Sequence, residues 1–466
     1  MRPSDRRRMT DRAANIAHLH IWLVLALALS LRAMLPILGY CYTRDVTIFD
    51  TPDTASYLAP ARELIAHHRF FANGAPEIIR TPGYPLLLAF GLLLGRLEIT
   101  TIACQILLSC LTVFMVYRTA YLLFGRERIA LIAAFLYAIE PLSVLFTSLL
   151  ASETLFTTTV MVGVYYLIRY LRRLSLADLL LSAGVLAAAA YVRPIAYFLP
   201  VVVAAGLAVW CLVTARPIKR RVLTHAGAFL IVSVGVIGLW QVRNEIETGY
   251  SGFSAVASDN MYFILAGSVL AAQQHVPYYG MRNRLGYQNQ QVYFQQHPDQ
   301  RTWSVARRIN YMNRTADHIL LGGSSTYVRI YFEGIVRATF DPGSTEFIRF
   351  FDVYPKRGGL LTVQVDQGTM ETVVALFANP LLFWTTVMML PLQLTYLLGA
   401  CVTLCVRAIL DPAVLAVVFV AGYYMAIAGG PGDWGRFRLP AMPIICILAG
   451  PGLSVMTRRR EPRVVA

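Results

Sequence analysis

Two aspartates, two tyrosines and the arginine of an Arg-Thr-Pro run mark one stretch of this sequence. The segment from Phe49 to Pro85 (FDTPDTASYLAPARELIAHHRFFANGAPEIIRTPGYP) carries Asp50, Asp53, Tyr57, Arg80 and Tyr84. It starts just beyond one apolar run, and Arg80-Thr81-Pro82 leads into another, so its acids stand at a membrane surface. Carboxylates so placed can take or give a proton. An arginine beside them can bind phosphate oxygens in bidentate fashion and stays charged near lipid. Each residue also suits a plainer task. Asp53 fits the N-cap of a helix beginning near Thr54, and Asp50 fits turn chemistry in Asp-Thr-Pro-Asp. Tyr57 fits interfacial packing, and Arg80 fits a lipid headgroup.

Ten apolar stretches can position these groups: 19–39, 99–122, 129–150, 154–171, 176–192, 195–214, 222–242, 377–405, 411–429 and 438–456. Each is near the ~20 residues that cross a bilayer. A further apolar piece, 82–95, would reach only about 21 Å against a hydrocarbon core of about 30 Å. If it crossed, Arg126-Glu127-Arg128, Arg169 with Arg172-Arg173, and Arg216 with Lys219-Arg220-Arg221 would face outside, against the basic N-terminal tail. As a juxtamembrane or re-entrant helix on the outer side, it returns every cluster, and Arg458-Arg459-Arg460, to the cytoplasm. The tail and first run read as an uncleaved signal anchor.

Under this topology Glu153, Arg193, Arg243, Asp433, Arg436 and Arg438 fall on the same face as Asp53. Only Arg32 and Glu140 lie deep, and Glu140, before Pro141, should face a cavity or a partner because charge in hydrocarbon is costly. The expected organisation is a basic cytoplasmic tail (1–18), a membrane module (19–246) with a first outer loop (40–97), an outer region (247–376), C-terminal spans (377–456) and a second basic tail (457–466). The outer region is too polar to span and too long for a plain connector, and 327–337 has the composition of an interfacial helix.

Composition agrees. Of 466 residues, 57% are hydrophobic and 14% charged, which excludes an ordinary soluble globular chain. The net charge of +15 lies in short clusters beside apolar runs, as membrane topology demands, and not in a nucleic-acid-binding surface. The seven cysteines form no C-x-x-C pair, and the histidines lack metal-ligand spacing, so no structural metal is expected.

Asp53-x-x-x-Tyr57 followed by Arg80-Thr81-Pro82-Gly83-Tyr84-Pro85 resembles the first outer loop of the GT-C glycosyltransferases. Within that superfamily it is most similar to bacterial members related to protein O-mannosyltransferases and to the aminoarabinose transferase of lipid A. Glu153 in Ala151-Ser152-Glu153-Thr154-Leu155 resembles the acid of the family's second outer loop. Arg193-Pro194, Arg243 in Trp240-Gln241-Val242-Arg243-Asn244, and Gly435-Arg436-Phe437-Arg438-Leu439-Pro440 resemble recurrent family motifs. Many relatives have Asp-Glu where this chain has Asp53-Thr54.

The resemblance implies an all-α GT-C-like bundle of about ten transmembrane helices with outer juxtamembrane helices and an outer soluble region. It also implies an inverting glycosyltransferase in a bacterial inner membrane. Such an enzyme moves a monosaccharide from a polyprenyl-phosphate donor to a lipid, glycan or protein acceptor on the periplasmic side. Asp53 would be the base, with Asp50 as a second candidate, and Glu153 would orient the acceptor or pair with an arginine. Arg80, Arg193, Arg243, Arg436 and Arg438, with Tyr57 and Tyr84, would bind substrate. Some members of the superfamily use a divalent cation. The competing class is a multi-pass transporter or flippase of lipid-linked or small polar substrates, which should show repeated halves and polar groups near the midplane.

Overall fold

A computed structural model describes residues 3–213, 216–352, 367–406, 411–432 and 434–456. Asp433 and the basic tail from 457 lie outside the described residues. Among the described residues, seven helices are long and apolar enough to cross a membrane: His20–Thr43, Leu97–Phe124, Glu153–Arg173, Pro194–Leu212, Ile218–Thr248, Pro380–Cys405 and Gly435–Met456. Leu176–Val192 and Pro412–Ile427 stand where spans were expected but are shorter. The 82–95 piece forms the 11-residue helix Gly83–Leu93, half the length of a span, packed on the Thr54–His67 and Leu97–Phe124 helices.

The expected span 129–150 is not one helix. It stops at Ala138, restarts as the short Pro141–Leu145 turn, and continues without regular structure to Ser152. Proline has no N–H and its ring clashes with the preceding turn, so Pro141 ends the first helix and begins the second. Glu140 caps that second helix by accepting from Ser143 N.

The break frees backbone groups inside the protein, and buried backbone groups need partners. Arg32, fully buried, donates to Ala138 O (2.8 Å), Tyr137 O (3.2 Å) and Ser109 Oγ (2.7 Å). The deep charge thus closes the open end of the broken helix. Further along, Gln105 Nε2 donates to Thr147 O (3.0 Å) and Leu149 O (2.8 Å). Leu150 N donates to Phe49 O (2.7 Å), and Thr54 Oγ1 to Leu150 O (2.9 Å). The irregular 146–152 segment and the first loop therefore hydrogen-bond each other.

On the opposite face, Arg172 Nη2 donates to Asp411 Oδ2 (2.7 Å) and Leu123 O (3.0 Å), and Arg169 pairs with Asp178 (3.2 Å). These contacts gather the turns near 124, 174 and 411, as alternate crossing of the expected spans requires. Within the region expected to lie outside, residues 256–322 fold into short helices around Tyr262, Phe263, Val269, Tyr293, Met312 and Leu320. Its Ser324–Phe340 helix exposes Val328, Phe332, Val336 and Phe340 at four-residue spacing, an apolar stripe that suits an interfacial helix.

Helices Pro380–Val406 and Met442–Met456 approach through glycines. A Cβ on Gly452 would lie 2.1 Å from Gly399 O, and one on Gly399 would lie 3.0 Å from Ala449 O. Small residues at such a crossing let backbones close up where hydrocarbon gives no hydrophobic drive. Gly452→Leu is expected to destabilise the bundle by about 1–3 kcal/mol or more, the usual cost of overpacking. Thermal unfolding of the detergent-solubilised protein, compared with an exposed control such as Leu212→Ala, checks this.

Candidate active site

Five charged side chains from distant parts of the chain meet at one place. Asp53 stands at the N-cap position of the Thr54–His67 helix, yet its side chain makes no capping hydrogen bond. Its two oxygens instead face two guanidiniums: Oδ1 accepts from Arg80 Nη2 (2.8 Å), and Oδ2 pairs with Arg436 Nη2 (2.7 Å). Arg436 then passes Nε to Glu153 Oε1, and the same oxygen accepts from Arg193 Nη1. The run Asp53–Arg436–Glu153–Arg193, with Arg80 at its head, is one continuous ion-pair network.

Local structure explains each placement. Glu153 is the first residue of its helix, where the macrodipole favours an acid, and is almost fully buried. Arg193 follows the last residue of Leu176–Val192, in extended conformation ahead of Pro194, where a helix cannot continue. Arg436 lies in the short Trp434–Arg438 helix, which Asp341 holds by accepting from Gly435 N (3.0 Å). A Cβ at Gly435 would meet Asp341 Oδ2 at 2.9 Å and Leu142 at 3.0 Å, so this approach needs glycine.

Arg80 is held on every side. Its Nε donates to Ser56 Oγ (2.9 Å), its Nη1 to Tyr57 OH (3.2 Å), and its guanidinium lies 4.3 Å from the Tyr57 ring centroid. Glu77, buried, accepts from the backbone N–H of Arg80 (2.8 Å) and of Ile79, which shapes the turn that presents Arg80. Tyr57 OH also meets Ser152 Oγ (3.1 Å), beside Glu153. Tyr84 sits one layer back: edge-on to Tyr57, it donates to Gln105 (3.0 Å), the residue that supports Thr147 and Leu149.

Electrostatics follow from burial and pairing. Burial alone would raise the Asp53 carboxyl, but the guanidiniums of Arg436 and Arg80 outweigh it and hold Asp53 well below the usual carboxylate range. Burial pushes Glu77 the other way, upward, against the backbone N–H groups it accepts. In this state Asp53 is an ionised, weakly basic carboxylate.

Three expected site residues stand apart from the network. Asp50 is exposed at the end of the Val46–Phe49 turn. Arg243 is spent on backbone, donating to Phe70 O and Glu77 O (2.7 Å each) and packing over Trp240. Arg438 is fully buried and donates to Ala338 O and Asp341 O (2.7 Å each). Both arginines brace the site without facing it. The sequence reading passed over Ser56, Glu77, Ser152 and Asp341; the first three lie within three residues of a chosen charge, which was the available signal. Among the described residues no group of three or more His, Cys, Asp or Glu side chains could hold a metal.

Residues 79–240 match the family model described as dolichyl-phosphate-mannose-protein mannosyltransferase. No curated protein matches the sequence significantly. Among solved structures, the Archaeoglobus fulgidus oligosaccharyltransferase superposes in its apo form with a TM-score of 0.53 at 13% identity, covering 93% of this chain and 50% of that one. The same enzyme, with an inhibitory peptide and a dolichol-phosphate bound, gives a TM-score of 0.52 at 13% identity, covering 94% and 50%. The chain therefore spans about half the length of the oligosaccharyltransferase, and the likeness is one of fold. ArnT of Cupriavidus metallidurans covers 95% of this chain and 77% of its own at 17% identity, but its TM-score of 0.37 is too low to argue from. The expected resemblance to protein mannosyltransferases is borne out by the family model over residues 79–240, and the expected all-α membrane fold by the long apolar helices; the superposition on the oligosaccharyltransferase is a likeness of fold alone.

Arg436 is the partner common to both carboxylates. Arg436→Ala is expected to cost about 3–5 kcal/mol, because removing one member of a buried pair strands the other. The Asp53 share is present at neutral pH, since its folded pKa is depressed, and is lost only as pH falls through that low value. Chemical denaturation in detergent at pH 7 and pH 5 should give the same loss at both.

Proposed function

We propose that this protein is an inverting membrane glycosyltransferase that moves one sugar from a polyprenyl-phosphate donor to an acceptor on the periplasmic side of a bacterial inner membrane. The observation that carries this reading is the carboxylate held between two guanidiniums at the head of a loop of the GT-C pattern. Glycosyl transfer from a lipid phosphate needs a base for the acceptor hydroxyl and cations for the departing phosphate. Asp53 supplies the first, and Arg80 and Arg436 the second.

The balance of forces on Asp53 suggests how donor binding and base strength are linked. Burial pulls its pKa up; only the two guanidiniums pull it down. A phosphate is a stronger partner for arginine than a single carboxylate oxygen and can be gripped bidentately. As Arg80 and Arg436 turn to phosphate, Asp53 is left buried with less compensation, and its basicity rises when the sugar is in place. The acceptor oxygen then attacks the anomeric carbon, its proton passes to Asp53, and the C–O bond breaks with its electron pair leaving on the phosphate. A single displacement of this kind inverts the anomeric centre.

Glu153 acts through Arg436 and Arg193 and fixes their direction. Both oxygens of Asp53 and Oε1 of Glu153 are taken up by guanidiniums, and Glu153 Oε2 is buried without a hydrogen-bond partner among the described residues; these atoms do not make a divalent-cation ligand set.

The experiment is release of polyprenyl phosphate from membranes containing native donors and acceptors, with protein variants at matched expression. Asp53→Asn should fall by about 10²-fold or more, the range for a lost general base, and Arg80→Ala should lose binding of a short prenyl phosphate such as farnesyl phosphate. Full activity in Asp53→Asn would sink the base assignment.

A further inference from the structure

One turn of the region expected outside the membrane reaches back to the loop that carries Arg80. Ser254 Oγ donates to Ile79 O (2.6 Å) and Ala255 N to Ile78 O (2.9 Å), while Ala255 packs with Ile78 and Ile309. The short helix Val256–Asp259 starts on this stitch, and Asp259 N bonds Ala255 O (3.1 Å). Asp259 therefore stands one helical turn from the backbone that presents Glu77 and Arg80.

Its side chain is partly buried and makes no hydrogen bond or ion pair with any described residue. The charged and titratable groups within its electrostatic reach are Arg80 and Glu77 on the facing loop and Tyr250 on its own segment. Burial pushes the Asp259 carboxyl up, Glu77 adds to this, Arg80 opposes it, and the result is about 7. The other two carboxylates near Arg80 are committed, Asp53 to guanidiniums and Glu77 to backbone N–H groups. Asp259 alone among these three is uncommitted.

A donor phosphate would repel this carboxylate, whereas a hydroxyl is attracted to it. We propose that Asp259 binds the acceptor, receiving a hydrogen bond from a hydroxyl next to the one that attacks the donor and so placing the acceptor beside Arg80, while the attacking hydroxyl keeps its own hydrogen for Asp53. The inference rests on the transferase reading, in which the proton itself goes to Asp53. It gives the outer region a direct contact with the reaction.

The test pairs two readouts on the full-length protein. Transfer is followed as polyprenyl phosphate released in membranes holding native donors and acceptors, and donor-side binding is followed with farnesyl phosphate. Asp259→Ala should cut transfer by about tenfold or more, the loss of a hydrogen bond to a charged group, and leave farnesyl phosphate binding within about threefold. Asp259→Asn, which keeps an acceptor oxygen but cannot titrate, should retain part of the rate and lose the fall in rate expected of wild type as pH drops through about 7. Wild-type transfer in Asp259→Ala, persistence of that acidic limb in Asp259→Asn, or loss of farnesyl phosphate binding in either overturns the inference alone. A wild-type protein that releases no polyprenyl phosphate overturns the transferase reading and this inference with it.

Discussion

The structure depends on one unusual constraint, a carboxylate with a guanidinium on each oxygen, the two arginines lying hundreds of residues apart in the chain. Arg80 comes from the first loop and Arg436 from the foot of the last helix, and Asp53 joins them. Neither arginine could be left near hydrocarbon with an unpaired charge at little cost. The network therefore ties the two ends of the membrane module together, and Glu153 and Arg193 extend the tie to the helices between them.

A second constraint lies beneath it. The chain breaks its helix after Ala138 and, apart from the short Pro141–Leu145 turn, stays irregular until Glu153, where a span was expected, and the freed backbone is met by Arg32, Gln105, Thr54 and the first-loop backbone. Irregular backbone at such depth is tolerated only inside protein. What looks like a defect in a hydrophobic run is the seat on which the first loop rests. Thr54 is one of the groups that anchors it.

Much of this was legible in sequence, for reasons that differ by residue. Apolar length located the long helices, and basic clusters beside them fixed which ends share a face. Asp53, Arg80, Glu153, Arg193 and Arg436 could be chosen together because each is a charge at a helix end on one side. The same logic picked Arg243 and Arg438, and there it stopped short: an arginine that braces backbone and one that faces a substrate have the same type and position, and only the carbonyls around them tell them apart. Glu140 before Pro141 stood out as a costly acid, yet 129–150 still reads as one span, because the partner that makes a break tolerable, Arg32, lies more than a hundred residues earlier. Asp259 had no signal at all, because its neighbours come from a loop that is distant in the chain.

The clasp made by Arg243 has an evolutionary corollary. It holds the ends of the 70–77 hairpin by two main-chain oxygens, which every residue type provides. Side chains between those ends can drift without disturbing what the arginine grips, except at the tip, where Asn73 and Gly74 both hold positive φ (51° and 79°), whereas a change in the number of residues would move one oxygen away from the other. That hairpin is therefore a place where lineages can diversify by substitution while remaining bound to a fixed length.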